Sequence, residues 1–143
     1  MHILQIEFAT PQYDEMIQMR DRILRAPLNL EFSVKDLSEE YKDVHFGCYN
    51  EQAQLLGCCV LVDEGKGNLK MRQVAVDTPF QKSGVGKLLV EATEKYGQLN
   101  NFKKIVLNAR KSAVPFYTKL AYKKNGKEFE EVGIPHFKME KKL

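Results

Sequence analysis

Gln81-Lys82-Ser83-Gly84-Val85-Gly86-Lys87 lies between the apolar run Val74-Ala75-Val76 and the run Leu88-Leu89-Val90-Glu91-Ala92. The order reads as a strand that turns through a glycine-bearing loop into a helix. Two glycines one residue apart let a backbone approach a ligand with no Cβ in the way. A helix start offers unpaired N–H groups and the positive end of the helix dipole, which suits a phosphate or pyrophosphate. The stretch lacks the Gly-x-x-x-x-Gly-Lys-Ser/Thr spacing of a Walker loop. It also lacks the third glycine, and the acidic residue about 20 positions on, that mark a dinucleotide site. Taken alone it is an anion cradle or an ordinary tight turn.

The flanking segments give the stretch a place. Ile3 to Phe8 alternates in apolar character and predicts a strand. Thr10-Pro11 starts a helix, with Thr as cap and Pro in the first position. Met16, Met19 and Ile23 form its stripe to about Arg25, and Pro27 ends it. A polar connection with a short helix spans Leu28 to Tyr41. Val44–Tyr49 and Gln54–Val62 read as a hairpin around Asn50-Glu51-Gln52. Gly65-Lys66-Gly67-Asn68 leads into a strand from Leu69 to Val76, which Asp77-Thr78-Pro79 stops. After the loop come a helix from Gly86 to about Leu99 and a short buried strand, Ile105-Val106-Leu107. Ser112 caps a further helix, with Pro115 in its first turn. Phe116 and Leu120 share one side of that helix; Ala113, Tyr117 and Ala121 share another. Tyr122–Phe129 and Phe137–Met139 read as final strands. The order βα(α)ββ-βαβαββ predicts one mixed α/β domain over residues 1–143, with no repeat or linker.

Composition narrows the class. The net charge is +3, from 22 basic and 19 acidic residues that intermix over most of the chain, which argues against a nucleic-acid partner. A basic bias at Lys123, Lys124 and Lys127 reads as solvated surface. Cys48, Cys58 and Cys59 are odd in number, and they show neither Cys-x-x-Cys nor Cys/His ligand spacing. Neither a disulfide framework nor a metal site is expected, and their apolar context predicts buried free thiols. The N-terminus has no signal-peptide pattern and no apolar run approaches about 20 residues, so the expectation is a cytoplasmic protein without a membrane partner.

Phe116-Tyr117-Thr118-Lys119-Leu120-Ala121-Tyr122 completes a recognisable pattern. The chain closely resembles the GNAT superfamily of acetyl-CoA-dependent N-acetyltransferases. Val74-Ala75-Val76-Asp77 looks like the end of that family's fourth strand. Gln81 to Gly86 matches its Gln/Arg-x-x-Gly-x-Gly/Ala pyrophosphate loop. Phe116 to Tyr122 is similar to its Tyr-x-Lys-x-Gly-Phe, with Ala121 and Tyr122 as near-equivalents. The resemblance covers residues 44–141, and the first 40 residues fit the family's β-α-α opening in pattern. Gly133-Ile134-Pro135-His136 resembles the ending of one GNAT subgroup.

The resemblance implies a GNAT-like (acyl-CoA N-acyltransferase) α/β fold. Its sheet would be mixed but mostly antiparallel, of six to seven strands with about four helices, and its fourth and fifth strands would splay apart. The backbone of Val74, Ala75 and Val76 would pair with the pantetheine arm of acetyl-CoA. The loop opened by Gln81 would bind the pyrophosphate through the amides of Lys82, Ser83, Gly84, Val85, Gly86 and Lys87. Side chains of Lys82, Ser83 and Lys87 either add contacts or are plain surface. The family's Asn seven positions before the Tyr is Arg110 here, and Asn108 lies two residues earlier. Either is implied to hold the pantetheine amides; otherwise Asn108 only ends its strand and Arg110 reaches a phosphate.

The resemblance also implies direct transfer of acetyl from acetyl-CoA to an amine in a ternary complex. No cysteine has a visible activating partner, which fits direct transfer. Tyr117 is the expected acid, because a phenol beside the sulfur can protonate a leaving thiolate of comparable basicity. A backbone N–H near Val74–Val76 would meet the carbonyl oxygen. The base is open among His45, Glu31, Glu131, His136 and an ordered water. The acceptor is a small-molecule or peptide amine. Acidic residues at Glu31, Asp36, Glu39, Glu40, Glu128, Glu130 and Glu131 would suit a cationic one, or are solvated loops. A non-catalytic acyl-CoA-binding module, a ligand-free interaction protein, and monomer or homodimer all stay open.

Overall fold

Strands β2 (Val44–Tyr49) and β3 (Leu55–Asp63) are apolar along almost their whole length because both their faces are covered. The computed structural model, which describes residues 1–143, places β1 (His2–Ile6) on one side of this pair and β4 (Asn68–Val76) on the other, all antiparallel. Then β4 runs parallel to β5 (Lys104–Arg110), and β5 antiparallel to β8 (Ile134–Lys142). Two short strands, β6 (Lys123–Lys124) and β7 (Phe129–Glu131), pair with β8 and finish a sheet of 8 strands. The expected strand Tyr122–Phe129 is therefore two pieces, broken where Gly126 takes φ +101. The final strand is longer than its apolar core suggested, because β5 pairs with it from Lys104 to Arg110.

Helices cover both faces. Thr10 caps α1 (Pro11–Arg20), its hydroxyl accepting from the Tyr13 amide at 3.2 Å. A wide helical turn, Asp21–Arg25, extends α1 until the Pro27-bearing turn Ala26–Leu28 stops it. Tyr13, Met16 and Met19 of α1 pack on Ile6, Cys58, Val60 and Ala75. Ser33 caps the short α2 (Val34–Ser38). On the opposite face Val85, Leu89 and Val90 of α3 (Val85–Leu99), with Tyr117 of α4 (Val114–Lys119), pack on Phe46, Cys59, Leu61 and Leu107. All three cysteines are free and buried. No helix is long and apolar enough to cross a membrane.

One expected cap is not used. Ser112 sits in the turn Lys111–Ala113, and α4 begins after Ala113 with no side-chain cap. A Ser112 cap would serve an amide about three residues on, and Pro115 at that position has none to offer.

The seating of α3 on β3 depends on Gly57. A Cβ there would lie 2.7 Å from Val85 Cγ1 and 2.9 Å from the Ala75 carbonyl oxygen. The carbonyl cannot swing aside as a side chain can. Gly57→Ala is expected to destabilise the fold by about 1–3 kcal/mol. Thermal denaturation checks it; an unchanged midpoint would show that α3 is not held by this contact.

Candidate functional site

The sheet has a gap at its centre. β4 and β5 pair only at Asn68–Lys104, Leu69–Ile105 and Lys70–Val106, and beyond Lys70 the strands part. A bulge bends β4 in the same region. Ala75 faces Cys58 and Arg72 faces Val60, so Gln73 and Val74 together oppose the single Cys59. Gln73 takes φ +51, a left-handed conformation uncommon outside glycine. Its Oε1 is buried without a hydrogen-bond partner. Such an acceptor is costly to leave unpaired, and the partner that completes Gln73 comes from outside the chain, a water or a ligand. Sequence reading passed over it, because a bulge in a strand carries no local signature.

The glycine-bearing loop continues directly from the free end of β4. Gln81 Nε2 donates to the Val76 carbonyl at 3.1 Å and ties loop to strand. Ser83 Oγ donates to the Phe80 carbonyl, so this hydroxyl steadies the loop. Lys82 at φ +63 and Gly84 at φ +94 turn the chain into α3. The first bond across that turn runs from Leu88 N to Gly84 O at 3.1 Å, and the amides of Lys82 through Lys87 have no acceptor in the chain. Gly84 is required for its φ, since a Cβ there would meet nothing within 4 Å. Gly86 lets α3 sit close to α4, since a Cβ there would come within 3.2 Å of Phe116 Cζ and that ring would have to give way. Lys82 and Lys87 are exposed at the rim. The result is a nest of free N–H groups at a helix start with cationic side chains beside it.

Tyr117 lies on α4, in one buried cluster with Cys59 of β3 and Leu107 of β5. It is only 7% exposed and packs edge-on against Phe116 and Tyr122, with ring centroids 5.0 and 5.7 Å away. Its hydroxyl has no hydrogen-bond partner in the chain, whereas Tyr122 donates to Glu94 Oε2 at 2.9 Å. Burial, with Cys59 nearby as a lesser cause, pushes the Tyr117 phenol well above its ordinary value, so it holds its proton. Burial likewise pushes the Cys59 thiol up to about 12, leaving it inert as a nucleophile.

The structure separates the candidate bases. Glu131 and His136 come together with Asn108: Asn108 Nδ2 donates to Glu131 Oε1 at 3.4 Å, and His136 Nε2 lies 3.5 Å from Glu131 Oε2. Arg110 is the cross-strand partner of His136. His45 stands elsewhere, 1% exposed beneath α1, with Nε2 3.0 Å from the Glu40 carbonyl. The Glu31 side chain is free, and its backbone carbonyl accepts from Arg25. Glu40 is not open to a cationic acceptor. Arg20 donates to its two carboxylate oxygens at 2.8 and 2.7 Å, and Tyr13 donates at 2.7 Å.

Known proteins resemble this chain in sequence and in fold. The family described as the acetyltransferase (GNAT) domain matches residues 24–143. The Bacillus subtilis protein YjcF, an uncharacterized N-acetyltransferase, is 37% identical over 73 residues, covering 50% of this chain and 52% of its own length. The chain spans about half the length of the curated relatives it matches. A crystal structure of an aminoglycoside 6'-N-acetyltransferase complexed with coenzyme A superposes with a TM-score of 0.83 at 16% identity, over 99% of this chain and 97% of that one. A GNAT-family acetyltransferase from Staphylococcus aureus superposes at 0.78 and 16% identity, over 99% of each chain. At these identities the two structures speak for the fold.

Proposed function

The chain belongs to the GNAT acetyltransferase family, and on that premise we propose that it transfers an acetyl group from acetyl-CoA to an amine by direct attack in a ternary complex. The observation that carries this reading is the free edge of β4 running straight into a loop of free amides. An extended arm with amide groups fits beside a strand edge, and a pyrophosphate fits the nest that follows it. The backbone of Val74, Ala75 and Val76 receives the arm, and Gln73 Oε1 accepts one of its N–H groups. Gln81 holds the loop to the strand. The amides of Lys82, Ser83, Gly84, Val85, Gly86 and Lys87 take the diphosphate, with Lys82 and Lys87 adding charge. Asn108 and Arg110 flank the arm from β5. The unit is the single domain 1–143.

The chemistry follows from what these groups can hold. The neutral amine nitrogen bonds to the thioester carbonyl carbon, the carbon–sulfur bond breaks, the sulfur takes the Tyr117 proton, and the proton that the nitrogen sheds passes to water while the phenolate regains its own from solvent. A backbone N–H of the bulged strand steadies the carbonyl oxygen. A phenol with a raised pKa remains protonated at neutral pH and so is available to every turnover.

Thermal denaturation with acetyl-CoA tests the binding half. Ligand at about 100 times its Kd should stabilise by about 2.7 kcal/mol, raising the midpoint by roughly 5–11 °C. Gly84→Ala, which strains the φ +94 position, should shrink that gain. No rise with the wild-type chain would overturn the reading. A rise without coenzyme A release across a panel of amines would leave a binding module.

A further inference from the structure

A basic cavity opens at the end of the sheet where β4 and β5 begin and β8 finishes. Its volume is about 430 Å³, and its walls are Lys66, Asn68, Lys103, Lys104, Lys142 and Leu143. The loop at Gly84 follows the other end of β4, nine strand residues or roughly 25 Å away. Three chain segments meet at the cavity, and each is fixed. The amides of Lys103 and Lys104 donate to the Gly67 carbonyl at 2.7 and 3.2 Å, and the Leu143 amide donates to the Lys103 carbonyl at 2.9 Å. Leu143 is docked against α3, so closely that a Cβ on Gly97 would lie 2.6 Å from its Cδ1. The Lys103 stem crosses the β3–β4 turn, where a Cβ on Gly67 would lie 2.9 Å from its Cγ. In that turn Lys66 is held at φ +57 between Gly65 and Gly67, both at φ +81. A side-chain-bearing residue is uncommon in this left-handed conformation.

The charges stand against their own electrostatics. Lys104 of β5 and Lys142 of β8 are direct cross-strand partners. Like charges placed directly opposite destabilise a sheet. Lys104 has a counter-charge, Glu140 Oε2 at 3.1 Å, whereas Lys66, Lys103 and Lys142 join no ion pair. Three ammonium groups around one cavity are thus left unneutralised, and the Asn68 side chain adds a neutral donor beside them. An anion seated there relieves the repulsion, and lysines meet a phosphate as point charges. Leu143 is the one apolar wall residue and no aromatic ring lines the cavity, so nothing there stacks a base or houses an acyl chain.

We infer that this cavity binds a short polyphosphate, a chain of two or three phosphates recognised by charge alone. The anion bridges the β3–β4 turn, β5 and β8 through Lys66, Lys103 and Lys142, at the end where β4 and β5 are still paired. The site is separate from the loop at Gly84 and does not rest on the acetyltransferase reading.

Amide proton–nitrogen NMR of the full chain tests this, with inorganic triphosphate titrated at fixed pH and ionic strength. The amides of Lys66, Gly67 and Lys104 should move saturably. Lys103→Gln combined with Lys142→Gln should weaken that response about tenfold, the scale of two lost ion pairs. Both side chains are exposed, so the variant keeps the fold, and its melting midpoint without anion verifies this. Lys66→Gln, on the turn, is a second variant expected to weaken the response. Lys82→Gln combined with Lys87→Gln should leave it unchanged, because those lysines flank the loop at Gly84. Adenosine triphosphate, read at the same amides, should bind no more tightly than inorganic triphosphate. Drift without saturation would mean screening of surface charge only and overturn the proposal, as would equal affinity in the Lys103 and Lys142 variant. Tighter binding of adenosine triphosphate would reveal a seat for a base and overturn it too.

Discussion

Tyr117→Phe is expected to lower kcat about 100-fold or more, the scale of a lost general acid. The midpoint of thermal unfolding and the KM for acetyl-CoA should stay near wild type. The reason for the split lies in the hydroxyl's surroundings. Ring packing against Phe116 and Tyr122 survives the substitution, and the hydroxyl has no hydrogen bond in the chain to lose. Its removal therefore touches only what the phenol does to a ligand. Steady-state coenzyme A release with an amine that the wild-type chain acetylates reads the effect, and kcat retained within a few-fold would remove Tyr117 from the chemistry. The pH profile carries the same signature. The active form is the protonated phenol, so activity contributed by Tyr117 is lost only as pH rises through its pKa. Burial raises that pKa, placing this loss above the ordinary tyrosine range.

Glu40→Gln is expected to destabilise the chain by about 3–5 kcal/mol, because it leaves a buried guanidinium without its counter-charge. The melting midpoint should fall on the order of 10 °C. Arg20 is fully buried and the Glu40 side chain is 5% exposed, so water cannot take over the broken pair. Burial alone would push the Glu40 carboxyl up. The Arg20 hydrogen bonds and charge, with the Tyr13 hydroxyl, overcome it and hold the carboxyl below its usual range. A carboxyl depressed by folding adds stability above its unfolded pKa, and that stability is lost as pH falls through the folded value. Wild type should therefore lose stability on acidification below the ordinary glutamate range, and Glu40→Gln should lack that component. The double substitution Arg20→Met with Glu40→Leu should recover much of the loss, since apolar side chains of similar volume can replace a buried pair. A Glu40→Gln chain within about 1 kcal/mol of wild type would show that the pair does not anchor the segment 21–42.

What could be read from the sequence was local or periodic. The Thr10 cap, the β2–β3 hairpin, the buried cysteines and the strand–loop–helix around Gly84 each depend on residues within one element or turn. The motif at Phe116–Tyr122 located Tyr117, but the absence of any partner for its hydroxyl is a fact of packing. Strand register escaped, because it is set by residues far apart in the chain. The family resemblance implied that β4 and β5 part, but nothing near Lys70 or Val106 fixes where pairing ends, and nothing near Gln73 announces a bulge. Arg20 carries no local signal of burial, yet Glu40 draws it fully inside from 20 residues away. Asn108, Glu131 and His136 are likewise gathered only by the β5–β8 register and the β7–β8 turn.

An unpaired strand edge is normally a hazard, since it invites another protein to add a strand and begin an aggregate. Proteins blunt such edges at the margins of their sheets with charge, proline or bulges. Here the unpaired edge of β4 lies in the interior, closed at one end where Lys70 meets Val106, with α1 packed against β4 on one face and α3 on the other. A foreign strand that approached this edge would meet β5 on the far side of the gap. Under the proposed function the edge that pairs with a donor is thereby also kept from other proteins, and an interaction surface too dangerous for the periphery becomes safe by being moved indoors.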